Sequence, residues 1–127
     1  MPQTILIVDD SATMRSVLRL YLRNEPYEFA EAETAERALH LTRLLKPALV
    51  IVDLNLPGMD GIQLTTELRA RQTGDAAAIP VMVLTGEEAE AWREKAETAG
   101  ANMLMKKPVS PAQLKSAVET LLSGRTP

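Results

Sequence analysis

Ala48-Leu49-Val50-Ile51-Val52-Asp53 is a run of five apolar residues, three of them β-branched, closed by a carboxylate. It shows no polar and apolar alternation, so it reads as a strand covered on both faces, the state of a strand in a parallel sheet. In front of it Lys46-Pro47 stops a helical segment, and behind it Leu56-Pro57-Gly58-Met59-Asp60-Gly61 reads as a turn, with Asp60 as N-cap of the next helix. Ile5-Leu6-Ile7-Val8, Val81-Met82-Val83-Leu84 and Met103-Leu104-Met105 are built the same way. Each run leads into residues able to do chemistry: Asp9 and Asp10 after the first, Asp53 here, then Thr85 and Lys107. Tyr27 to Ala32 is a weaker fifth strand, expected at a sheet edge.

Helical spacing fills the gaps. Met14, Val17, Leu18 and Tyr21 share one face, as do Ala38, Leu41 or Thr42 and Leu45; Ile62, Thr65 or Thr66 and Leu68 form a third seam. Ala89, Trp92, Ala96 and Ala99 form a fourth, and Leu114, Ala117 or Val118 and Leu121 a fifth. Ser110, Pro111 and Gln113 supply an N-cap, a first-turn proline and a capping-box partner, and Gly100 suits the end of the fourth helix. Thr73 to Ile79 reads as a flexible connection and Ser123 to Pro127 as a frayed tail. Five alternating βα units predict a doubly wound, flavodoxin-like parallel sheet with right-handed crossovers and strand order 2-1-3-4-5. Asp9, Asp10 and Asp53 then meet at the topological switch point, where ligands bind in open α/β sheets.

The 127 residues suit one domain, with a core over about residues 4–122, and 46% apolar with 24% charged residues is an ordinary globular balance. With no cysteine and one histidine, a disulfide framework and a zinc site are not expected. A net charge of −3 and the lack of a Lys/Arg block disfavour direct nucleic-acid binding. The amino end shows no signal peptide or membrane span, so the cytoplasm is the expected location.

Three carboxylates in one crevice repel each other unless a cation neutralises them, and oxygen-only ligands select a hard ion such as Mg2+. A carboxylate beside such an ion can attack phosphorus and form an aspartyl-phosphate. Lys107 would then balance phosphoryl charge and Thr85 donate a hydroxyl hydrogen bond. Taken singly, Asp10-Ser11 would be a helix cap and Thr85 and Lys107 solvated residues; their ordered placement at strand ends raises them to a site. His40 reads as an exposed helix residue rather than a phosphorelay donor, and Lys106 alternates away from the site.

Asp9-Asp10-Ser11, Asp53 with Leu56 to Gly61, Thr85-Gly86 and Lys107-Pro108 together resemble a response-regulator receiver domain of the stand-alone chemotaxis type, over nearly the whole chain. The resemblance implies a two-component phosphorelay: Asp53 as phosphoacceptor, Asp10 as direct Mg2+ ligand, Asp9 acting mainly through water, and the Asn55 carbonyl completing the protein ligands. It further implies that Lys107 pairs with the phosphoryl group, that Lys107–Pro108 is cis, that Asn55 and Glu87 govern self-dephosphorylation, and that Thr85 is part of the switch. The implied partners are a histidine kinase or histidine phosphotransfer protein and a downstream protein target bound at the surface of the fourth helix, fifth strand and fifth helix, the chain being a monomer or transient dimer. Two positions depart from the family pattern. Leu104 stands where an aromatic ring usually follows the threonine, and Val109 where an aromatic often follows Lys-Pro. The expectation is a self-phosphorylating signalling protein, not an enzyme. The alternatives are a receiver cut from a longer regulator, or an aspartate-nucleophile phosphatase; the latter usually has an acid where this chain has Asn55.

Overall fold

Among the described residues strands and helices alternate: β1 (Gln3–Val8), α1 (Ala12–Tyr21), β2 (Tyr27–Ala32), α2 (Ala35–Leu45), β3 (Leu49–Asp53), α3 (Gly61–Arg71), β4 (Val81–Thr85), α4 (Ala89–Ala99), β5 (Met103–Lys106) and α5 (Pro111–Leu122). The structure, a computed structural model, describes residues 2–71, 79–86 and 89–123. Residues 72–78, Glu87 and the tail from 124 onward, all given roles above, lie outside the described residues.

All pairings are parallel and the sheet order is β2-β1-β3-β4-β5, as expected, with β2 at an edge. β3 lies at the centre with every residue buried. Its side chains alternate between two cores, which is why its sequence reads as an unbroken apolar run. Val50 and Val52 enter the core beneath α2, α3 and α4, whereas Leu49 and Ile51 enter the core shared with α1 and α5. Each fully buried aliphatic side chain of this kind contributes about 1.5–3 kcal/mol.

The helix boundaries follow the caps read from sequence. Ser110 and Gln113 form the reciprocal capping box of α5, and Asp60 with Gln63 forms the same exchange ahead of α3, at 2.8 and 2.9 Å. The strand ends run one residue past their apolar cores at β3, β4 and β5, so Asp53, Thr85 and Lys106 still belong to the sheet. Leu45 departs from expectation: it is 45% exposed, while Ala35, Ala38, Leu41 and Thr42 form the buried face of α2. It is the last residue of the helix, before the chain reverses at Lys46 with φ of 49°, so no further turn covers it.

At the amino-terminal edge of β4 and β5, Arg69 of α3 acts as a tie. Its guanidinium donates to the carbonyls of Ile79 (2.8 Å) and Gly100 (2.9 Å) and to Asn102 Oδ1 (2.9 Å), and that same oxygen accepts from the Val81 N–H (2.9 Å). Arg69→Met keeps the stem and removes the donors, leaving part-buried carbonyls unsatisfied. Chemical denaturation is expected to show a loss of about 1–3 kcal/mol. Because the tie sits at the opposite edge from the carboxylates, phosphorylation of the folded fraction is expected to continue unchanged.

Candidate functional site

Asp9 follows directly on β1, and its N–H still donates to the Ala32 carbonyl of β2 at 3.0 Å. Its carboxylate turns back to accept the Ser11 N–H at 2.9 Å, and Ser11 in turn caps α1 by accepting from the Met14 N–H at 3.1 Å. One tight corner thus buries Asp9 and leaves Asp10 exposed. Asp53 closes β3 in register with Leu84, and the following Leu54 N–H donates to the Leu84 carbonyl at 2.8 Å.

Gly61 allows α3 to start hard against that strand end. A Cβ on Gly61 would lie 2.7 Å from the Asp53 carbonyl oxygen and 3.1 Å from Leu54 Cα. The Gly61 N–H donates to the Leu54 carbonyl at 2.9 Å, and buried Thr65 Oγ1 donates to the Gly61 carbonyl at 2.8 Å. In sequence this glycine looked like one more turn residue.

Lys107 arrives from the far edge. Its N–H donates to the Thr85 carbonyl at 2.7 Å, its Nζ lies 3.1 Å from Asp53 Oδ1, and the Lys107–Pro108 peptide is cis. Lys106 is exposed, as strand alternation predicts. Thr85 is 1% exposed and pairs in register with Lys106, while Leu104 pairs with Val83. Alternation puts Thr85 on the same face as Val83, and Leu104 belongs to that core, so both lie toward the α4 side of the sheet. Asn55 is exposed on the loop after β3, and His40 is exposed on α2.

Carboxylate oxygens of Asp9, Asp10 and Asp53 lie within 4.8 Å of one another. Burial pushes Asp9 above its ordinary pKa of 3.8, and the charges of Asp53 and Asp10 push it further; the Ser11 hydrogen bond and Lys107 oppose both. Three carboxylates against one ammonium leave two negative charges uncompensated, which suits a divalent cation. An all-oxygen donor set, open on the Asp10 side, fits Mg2+ with retained waters.

Because folding raises the pKa of Asp9, its contribution to stability is fully present below the unfolded value and is lost as pH rises through the folded value. At neutral pH and without divalent cation, ionised Asp9 therefore costs stability. Asp9→Asn retains an oxygen for the Ser11 N–H and is expected to melt higher than wild type in chelator. The difference should narrow as pH falls through the folded pKa of Asp9, and the variant should gain less from added Mg2+. Calorimetric melts across pH, with chelator and with Mg2+, measure all three.

The model of the response regulator receiver domain matches residues 5–119. The chain belongs to the response regulator receiver family. Among curated relatives, this receiver is 36% identical over 118 residues to the transcriptional regulatory protein ResD of Bacillus subtilis, covering 93% of this chain and 47% of ResD. It is 37% identical over 123 residues to the transcriptional regulatory protein SrrA of Staphylococcus aureus, covering 96% of this chain and 48% of that protein. The chain therefore spans about half the length of these relatives. Among solved structures, a LuxR-family two-component response regulator from Aurantimonas superposes with a TM-score of 0.88 at 34% identity, over 99% of this chain and 89% of that one. The chemotaxis response regulator CheY4 of Vibrio cholerae shares the fold, with a TM-score of 0.85 at 24% identity over 95% of this chain and 99% of its own.

The receiver fold brings Asp9, Asp10, Asp53 and Lys107 into one crevice and sets Thr85 at its margin. The sequence reading missed the contacts of Arg15, which supports the corner holding the two aspartates. Its only sequence signal is a basic residue one helical turn into α1. No helix among the described residues is long and apolar enough to cross a membrane.

Proposed function

We propose that this receiver accepts a phosphoryl group on Asp53 from a phosphohistidine donor and thereby changes its affinity for a protein partner. The observation that supports this most is the crevice itself: Lys107 Nζ is 3.1 Å from Asp53 Oδ1, beside carboxylates clustered within 4.8 Å. An Asp53 carboxylate oxygen attacks phosphorus, an O–P bond forms, and the N–P bond to the donor imidazole breaks. The electron pair stays on that imidazole nitrogen, which takes a proton from solvent. Lys107 then exchanges its carboxylate contact for a phosphoryl oxygen, and the Thr85 hydroxyl donates to another. Asp9, Asp10, Asp53 and the carbonyl of Asn55 would hold Mg2+, which when bound neutralises charge developing on the phosphoryl oxygens.

The chain serves as its own phosphoryl acceptor, with Asn55 and Glu87 setting the rate at which water removes the group, rather than as a multiple-turnover enzyme. Its partners in this reading are a histidine kinase or histidine phosphotransfer protein and a downstream protein, all in the cytoplasm. Thr85 and Leu104 carry the change toward α4, β5 and α5, with an aliphatic side chain where relatives of the family use a ring. The double length of ResD and SrrA favours a second reading of the output, a receiver working in cis with an effector segment.

Intact-mass measurement after incubation with acetyl phosphate tests the phosphoryl transfer. One phosphoryl group is expected with Mg2+ and none with excess chelator. Absence of the adduct in Mg2+ overturns the reading.

A further inference from the structure

Arg15, on the first turn of α1, reaches back over the corner that carries the two aspartates. Its Nη1 donates to the carbonyl of Asp9 at 2.7 Å, and its Nε donates to Glu31 Oε1 at 2.7 Å. The arginine side chain is 15% exposed and that of Glu31 30%, so the pair is part-buried and less screened by water than a fully exposed pair would be. Glu31 sits on β2 in register with Ile7 and also receives Arg19, whose guanidinium lies 5.5 Å from the centre of the Phe29 ring. The arrangement braces α1 and β2 against the end of β1.

The carbonyl that Arg15 holds belongs to the peptide group joining Asp9 to Asp10. Among the described residues the Asp10 carboxylate makes no hydrogen bond or ion pair of its own. With no side-chain partner to steady it, where the Asp10 carboxylate starts from depends on the backbone that carries it, and Arg15 holds the peptide group on the amino side of that residue. Glu31 has a second task. Its carboxylate accepts from Arg15 on one oxygen and from Arg19 on the other, and this charge-assisted pairing fixes the Arg15 guanidinium in the orientation that meets the Asp9 carbonyl.

We propose that Arg15, held by Glu31, is a positioning residue for the cation site of Asp9, Asp10 and Asp53. The inference rests on the metal-dependent reading above. Groups behind metal ligands typically change affinity by about 10- to 100-fold when removed. Arg15→Met is expected to weaken Mg2+ binding about tenfold, because the peptide is freed. Glu31→Gln is expected to weaken it by a similar factor, because the guanidinium loses the anionic partner that steadies it on the Asp9 carbonyl. The two effects are not additive, since Glu31 reaches the Asp9 carbonyl only through Arg15 and a chain without Arg15 has no guanidinium to orient. Arg15→Met/Glu31→Gln is expected to bind as Arg15→Met does.

The test is Mg2+ titration of wild type and the three variants, followed by calorimetry and by the amide resonances of Asp10 and Ser11, with melting in chelator as the measure of fold. Lower affinity in both single variants, with a double variant no worse than Arg15→Met, supports the proposal. Wild-type affinity in Glu31→Gln or Arg15→Met overturns it while leaving the phosphoacceptor reading intact, and so does an additive double variant. Wild type that binds no Mg2+ overturns the metal reading and the inference together. Glu31→Gln changes no residue of α1 or its Ser11 cap and keeps an acceptor oxygen for Arg15, so its result stands if Arg15→Met fails to fold.

Discussion

Asp53→Asn is expected to take up no phosphoryl group from acetyl phosphate under conditions that fully modify the wild type, while folding normally. The substituted side chain has the same shape, fits the same position at the end of β3, and keeps an oxygen within reach of Lys107 Nζ, now 3.1 Å from Oδ1. It has no anionic oxygen to attack phosphorus, so the loss is of the nucleophile itself and should reach the detection limit. Wild-type Asp53 is buried, 6% exposed. Removing its charge also relieves repulsion against Asp9, so the metal-free variant should melt no lower than wild type. Lys107→Ala provides the scale for a lesser effect. Taking away one charge-stabilising group typically slows a reaction by about 100- to 1000-fold without abolishing it. Intact mass over time distinguishes the two: a flat line for Asp53→Asn, a slow rise for Lys107→Ala. Equal modification of Asp53→Asn and wild type would place the acceptor elsewhere.

Gly61→Ala should damage fold and chemistry together. The added methyl would stand 2.7 Å from the Asp53 carbonyl oxygen and 3.2 Å from its carbonyl carbon. Both are backbone atoms of the central strand, and β3 is hydrogen-bonded to neighbours on each side, so neither can yield by a change of rotamer. The amino-terminal end of α3 must lift instead, which strains the Gly61 to Leu54 hydrogen bond and the Thr65 to Gly61 bond. Overpacking of this kind costs about 1–3 kcal/mol, to be read from urea denaturation. The second consequence is chemical. A nucleophile displaced by about 1 Å can lose about 100-fold in rate, so the folded fraction should also phosphorylate slowly. Gly61→Ala that matches wild type in both measurements would show that the helix start is slack.

Much of this was legible in the chain. The unbroken apolar runs at Ile5 to Val8, Leu49 to Val52 and Val81 to Leu84 specify strands buried on both faces, and their alternation with helical seams leaves few topologies. Asp9, Asp10, Asp53, Thr85 and Lys107 could be placed on one edge because each ends or follows a strand of the same parallel sheet, and all parallel strands finish on the same side. The seam at Leu45 read less well, because spacing counts turns and takes no account of where a helix ends.

Local pattern decides strand direction, side-chain alternation and capping, because these depend on neighbours within a few residues. That much set the fold class and the edge at which to look. Contacts between distant segments follow a different logic. That Lys107 Nζ meets Asp53 Oδ1 across 54 positions, that Gly61 has no room for a methyl group, and that Arg15 holds the carbonyl between two aspartates while Glu31 holds Arg15, all depend on ångström-scale distances between elements. Packing sets those distances through the combined shape of both cores, so the folded chain was needed to reveal them.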